Sequence, residues 1–103
     1  MEPVKLKLTY SEYEFLLIMI RNLNFDIINW LPWQKIIIAD LLKQIVIKIT
    51  GILFRFKKSK QSTITLFPSQ AQALLQIMIF QREFLQNYEL SICSKIILEI
   101  DKK

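Results

Sequence analysis

Val4, Leu6 and Leu8 alternate with Lys5, Lys7 and Thr9, the period of two expected of a strand that buries one face. The spacing then changes. Thr9 stands three residues before Glu12, the separation of a capping box that satisfies free amides at a helix start, and the apolar positions beyond it predict a helix from Tyr10 to Asn22. The plan recurs in the middle of the chain. Ile64 and Leu66 alternate with Thr63, Thr65 and Phe67, and Pro68 follows at a first helical position, where its missing N–H costs nothing. The pattern carries that helix to Leu85.

A second helix follows in each case. Pro32 opens a segment in which Ile38, Leu41, Leu42, Ile45 and Ile49 form one stripe and Lys35, Asp40, Lys43, Gln44 and Lys48 lie mostly opposite. A shorter one runs from Ser91 through Ile92 and Ile96. An offset of 58 aligns Leu8 with Leu66, Ser11 with Ser69, Glu12 with Gln70, Leu16 with Leu74 and Trp30 with Tyr88. Gly51, the single glycine, is expected to stop the first long helix. "LFRFKK" beyond it alternates and reads as a short additional strand, with "KKSKQS" as a hairpin tip.

The predicted fold is α+β and predominantly helical, with two pseudo-repeated strand-helix-helix halves around a small antiparallel sheet of two or three strands. The halves span about 4–50 and 62–103, joined by the basic segment 51–61, and 103 residues suit one domain. An apolar content of 52% with one glycine and three prolines excludes a disordered chain. It also leaves apolar surface to be buried in a dimer or under a partner.

Charge and residue types narrow the chemistry. With no histidine and only Cys93, the usual zinc sets and Ser-His or Cys-His nucleophiles are absent, and Cys93 reads as an ordinary buried thiol. One glycine precludes a Gly-rich phosphate loop. Glu12 is accounted for as a cap and Glu14 as surface, so no carboxylate pair suggests acid–base work. Neither an enzyme, a cofactor nor a small-molecule substrate is implied. The net charge of +5 is uneven: residues 1–51 carry six basic and five acidic side chains, and residues 52–103 carry eight and four. Arg55, Lys57, Lys58 and Lys60 concentrate the surplus, which reads either as a solvated loop or as a site for anionic partners such as nucleic acid or acidic protein surfaces. The longest apolar stretch, Ile36 to Phe56, is interrupted by charges, and the first residues lack the order of a signal peptide, so the expectation is a cytoplasmic protein.

An alternating strand that meets a Thr- or Pro-marked helix start and then a Glu or Gln, as in "VKLKLTYSE" and "TITLFPSQ", resembles the ribbon-helix-helix family of DNA-binding proteins. Members normally act as dimers; here one chain would supply both halves. The resemblance implies an antiparallel ribbon whose outward residues, Lys5, Lys7, Thr9, Thr63 and Thr65, face the major groove. It also implies phosphates held near the starts of the second helices, by Trp33 and Ser91. Phe67 would point outward at the end of the second strand. The connection "NLNFDIINWLP" is longer than the family's usual turn, and the first strand has two lysines where the second has none.

"NWLPW" bears two readings, Trp30 and Trp33 as protein-contact anchors or as staples of the second helix onto the core. Met19 and Met78 read as core filler, and Gln70, Gln72, Gln76 and Gln81 surround a narrow apolar stripe. These readings converge on a small non-enzymatic binding or accessory protein that works through macromolecular contacts, with a protein partner or self-association expected. The alternative is a DNA-binding ribbon-helix-helix-like regulator using the ribbon lysines and threonines with the 55–60 cluster. A peripheral membrane protein is the third choice.

Overall fold

The structure, a computed structural model, describes residues 2–23, 30–56 and 61–101. Strand β1 (Val4–Leu8) leads into helix α1 (Tyr10–Arg21), helix α2 (Pro32–Phe54) precedes strand β2 (Ser62–Leu66), and helices α3 (Pro68–Gln81) and α4 (Asn87–Asp101) complete the chain. The protein is thus a predominantly helical α+β fold with one two-stranded antiparallel sheet.

The strands pair Val4 with Leu66, Lys5 with Thr65, Leu6 with Ile64, Lys7 with Thr63 and Leu8 with Ser62. Alternation places Val4, Leu6, Leu8, Ile64 and Leu66 on one buried face, against the helices. Leu6 faces the residue 58 positions further on, and α1 and α3 begin at Tyr10 and Pro68, also 58 apart. Ile38, Leu42, Ile45 and Ile49 of α2, Ala73, Leu74, Ile77 and Met78 of α3, and Ile92, Ile96 and Ile100 of α4 close the core. Met19, Met78 and Cys93 lie within it. The Cys93 thiol donates to the Met78 carbonyl at 3.2 Å, and burial raises its pKa, with Arg82 acting weakly the other way.

Glutamate or glutamine three residues inside the helix closes the start of α1, α2 and α3. The Thr9 N–H donates to Glu12 Oε1 at 2.8 Å, the Leu31 N–H to Gln34 Oε1 at 2.9 Å and the Phe67 N–H to Gln70 Oε1 at 3.0 Å. The Thr9 hydroxyl accepts from the Glu12 N–H at 3.3 Å, completing a reciprocal box. Tyr13, fully buried, donates its hydroxyl to the Ser62 carbonyl at 2.7 Å and so ties α1 to the start of β2. Burial, with the Glu12 charge adding to it, pushes the phenol up to about 12, which keeps the donor proton in place.

Several expectations are corrected. Gly51 does not stop α2, which continues to Phe54; a single glycine costs a helix only about 1 kcal/mol, and Ile52 and Leu53 packing on the core offset it. Leu53 and Phe54 are therefore helical, not a third strand, and the sheet has two strands among the described residues. Phe56 folds back to meet Tyr10 and Tyr13 edge-on, at centroid distances of 5.4 and 6.1 Å. Helix α3 ends at Gln81 and gives way to a 3-10 turn, Arg82–Phe84. Helix α4 begins at Asn87, whose φ of 55° asparagine tolerates, so Ser91 is inside the helix and not at its start. The remainder of the proposed hairpin tip, 57–60, and most of the long connection after α1, 24–29, lie outside the described residues.

Because Leu6 is buried at the centre of the ribbon, Leu6→Ala is expected to lower unfolding free energy by about 2–5 kcal/mol in urea denaturation. Lys5→Ala, on the other face of the same strand, should change it by less than about 0.5 kcal/mol.

Candidate functional site

The outward face of the ribbon is formed by the cross-strand pairs Lys5–Thr65 and Lys7–Thr63, all four residues exposed. Neither lysine joins an ion pair among the described residues. Directly opposed residues on one face of a sheet have Cβ atoms about 5 Å apart and successive residues on one face lie about 7 Å apart along a strand, so two lysines and two threonines share one small patch. Phe67, exposed as expected, borders it at the start of α3.

Each end of the patch is fixed by a lysine from a second helix. On one side Lys95 of α4 grips Glu12 at 3.0 and 2.9 Å through both carboxylate oxygens. On the other, Lys48 of α2 donates to the Thr65 carbonyl and to Gln70 Oε1, both at 2.8 Å, and sits 4.6 Å from the centroid of the Phe67 ring. Gln70 passes the contact on, donating through Nε2 to Gln44 Oε1 at 2.8 Å. Glu12 and Gln70 are the capping residues of α1 and α3, and both are buried. Each lysine therefore reaches the first turn of a helix that directly follows a strand.

The two clamps differ in charge. Partial burial works against the Glu12 carboxylate, but the Lys95 hydrogen bond, the Thr9 N–H and the Lys95 charge outweigh it and hold the carboxyl below its ordinary range. Among the described residues Lys48 meets only neutral acceptors in its hydrogen bonds and joins no ion pair.

Not every residue singled out in the sequence joins this patch. Thr9 is half-buried and its hydroxyl is committed to the α1 cap, with Ser11 Oγ 3.3 Å away. Arg55 caps the far end of α2 and donates Nε to the Gly51 carbonyl at 3.2 Å; Lys57, Lys58 and Lys60 lie outside the described residues. Trp30 is half-buried on the core as a staple would be, whereas Trp33 is exposed on the first turn of α2. The two indoles line a small cavity of about 170 Å³ with Gln34, Ile37, Ile38 and Gln76. Of the glutamines around the apolar stripe of α3, Gln70 is a buried cap, while Gln72 and Gln76 are exposed.

Lys48 and Lys95 escaped the reading of the sequence, although a signal was present. "IVIKI" (45–49) and "ICSKI" (92–96) share Ile, Lys and Ile at an offset of 47, not 58. Trp30 and Tyr88, matched at 58, occupy different places: one precedes α2, the other lies in the first turn of α4 with its hydroxyl 3.0 Å from Ser11 Oγ. Among the described residues no group of three or more His, Cys, Asp or Glu side chains comes together as a metal site, and no helix is long and apolar enough to cross a membrane.

The depressed Glu12 pKa has a definite sign. Its contribution to stability is fully present above the pKa the residue has in the unfolded chain and is lost as pH falls through the lower folded value. Glu12→Gln, which copies Gln70, is expected to keep the cap bond and to flatten the acid limb of a plot of melting temperature against pH. An acid limb as steep as the wild type's would show that other carboxylates carry it. Comparison with protein-family models, with curated proteins and with solved structures finds no match for the chain.

Proposed function

We propose that the protein works by binding a macromolecule and not by catalysis, and that the outer ribbon face is a contact surface for duplex DNA. The observation that carries this reading is the uncovered patch of Lys5, Lys7, Thr63 and Thr65 on a two-stranded ribbon whose other face is sealed by helices. A two-stranded ribbon fits the major groove, where lysine donates to guanine O6 and N7 and threonine can either donate or accept. Lys48 adds a fixed charge at the ribbon edge suited to a backbone phosphate. The net charge of +5 supplies the long-range attraction. The two halves are read as a duplicated strand-helix-helix unit, supported by the separation of 58 residues shared by the central strand pair, Leu6 and Ile64, and the first-helix starts, and by the matching lysine clamps. This is the arrangement that a ribbon-helix-helix dimer would take if fused into one chain.

Fluorescence anisotropy of a labelled mixed-sequence duplex, titrated at low and near-physiological salt, tests the proposal. Wild-type binding should weaken steeply with salt, and Lys5→Ala/Lys7→Ala, which removes two groove contacts, should weaken it at least about tenfold at a given salt concentration. Absence of binding at low salt rejects the DNA reading; binding unchanged in the double variant rejects the ribbon as the surface.

A further inference from the structure

Helix α2 is apolar on the side that faces away from the core. Trp33, Ile36, Asp40, Lys43, Ile47 and Phe54 follow one another at spacings of three, four and seven, and with 3.6 residues per turn they form a single seam opposite Ile38, Leu42, Ile45 and Ile49. Every member is exposed: Trp33 by 58%, Ile36 by 71%, Ile47 by 72% and Phe54 by 91%, with Asp40 and Lys43 exposed between them. The apolar positions are separated by one acid and one base, neither in an ion pair among the described residues.

We infer that this seam pairs with the same seam of a second copy of the chain, antiparallel, about a two-fold axis between residues 41 and 42. In that register Ile36 faces Ile47 of the second copy, and Asp40 faces its Lys43; the two-fold repeats both contacts in reverse. An isologous interface requires such self-complementarity. A parallel pairing would set Asp40 on Asp40 and Lys43 on Lys43, like charges in contact, which selects against it. Gly51 is a second, independent pointer. Its place in a helix costs stability relative to alanine, yet a Cβ there would meet nothing within 4 Å on its own chain, so intramolecular crowding does not call for it. In the antiparallel register Gly51 lies opposite Pro32, at the start of the second copy's α2, where a missing side chain lets the backbones approach. In this register the two copies of α2 overlap from Pro32 to Gly51, about 30 Å of helix.

Sedimentation velocity over a concentration series, with circular dichroism to confirm the fold of each variant, decides the matter. The wild type is expected to dimerise and Ile47→Lys to sediment as a monomer. Asp40→Lys and Lys43→Asp should each weaken the dimer at least about tenfold by facing like charges, and the double exchange Asp40→Lys/Lys43→Asp should restore it. A wild type that stays monomeric at the highest attainable concentration overturns the inference. So does a dimer indifferent to these changes, or a double exchange that fails to rescue, because Asp40 and Lys43 would then not face each other.

Discussion

The rest of the fold depends on the pairing of β1 with β2. Five residues of each strand meet in a register that sends every large apolar side chain of both strands to the core and both lysines to solvent. Slipping β1 by one residue would exchange its faces, burying Lys5 and Lys7 together and exposing Val4, Leu6 and Leu8. The burial of Leu6, Leu8, Ile64 and Leu66 is thus what a one-residue slip would forfeit. Both strands run straight into capped helices, so fixing the ribbon also fixes where α1 and α3 begin, and Tyr13 fastens that junction to Ser62.

Packing of the second helices follows from the same constraint. Lys48 and Lys95 reach the capping residues of α3 and α1 respectively, linking residues 22 and 83 positions apart in the chain. One clamp is an ion pair and the other a neutral-acceptor network with a ring beneath the ammonium. That difference leaves one end of the ribbon with an ion pair and the other with a lysine that joins none among the described residues. The molecule therefore carries two exposed surfaces of opposite character: a small cationic and hydroxylic patch on the ribbon, and an apolar seam with a balanced acid and base along the outside of α2.

Much of this was legible in the sequence wherever the signal is local. Period-two alternation located both strands, the Thr9–Glu12 spacing and Pro68 located two helix starts, and the antiparallel pairing of the two strands was expected, though not its register. Errors arose where tertiary burial overrode a local cue. Gly51 looked like a stop but lies in a helix whose following residues pack on the core, and the alternation of "LFRFKK" reflected a helix end followed by Phe56 turning back to the tyrosines. Contacts between distant segments left only a faint trace, so the lysine clamps were missed and Thr9 was assigned to a groove-facing role its cap already occupies. The exposure of Trp33 could not be told from the half-burial of Trp30, because both flank the same proline and only the packing of α2 separates them.

The most direct test of this account is the ribbon register itself, read from nuclear Overhauser contacts between backbone protons in the isotopically labelled protein. The account predicts cross-strand contacts linking Leu6 with Ile64 and Val4 with Leu66. Contacts displaced by one residue, or strands with no mutual contacts at all, would contradict it, since neither the shared core nor the outward lysine and threonine patch would then exist as described.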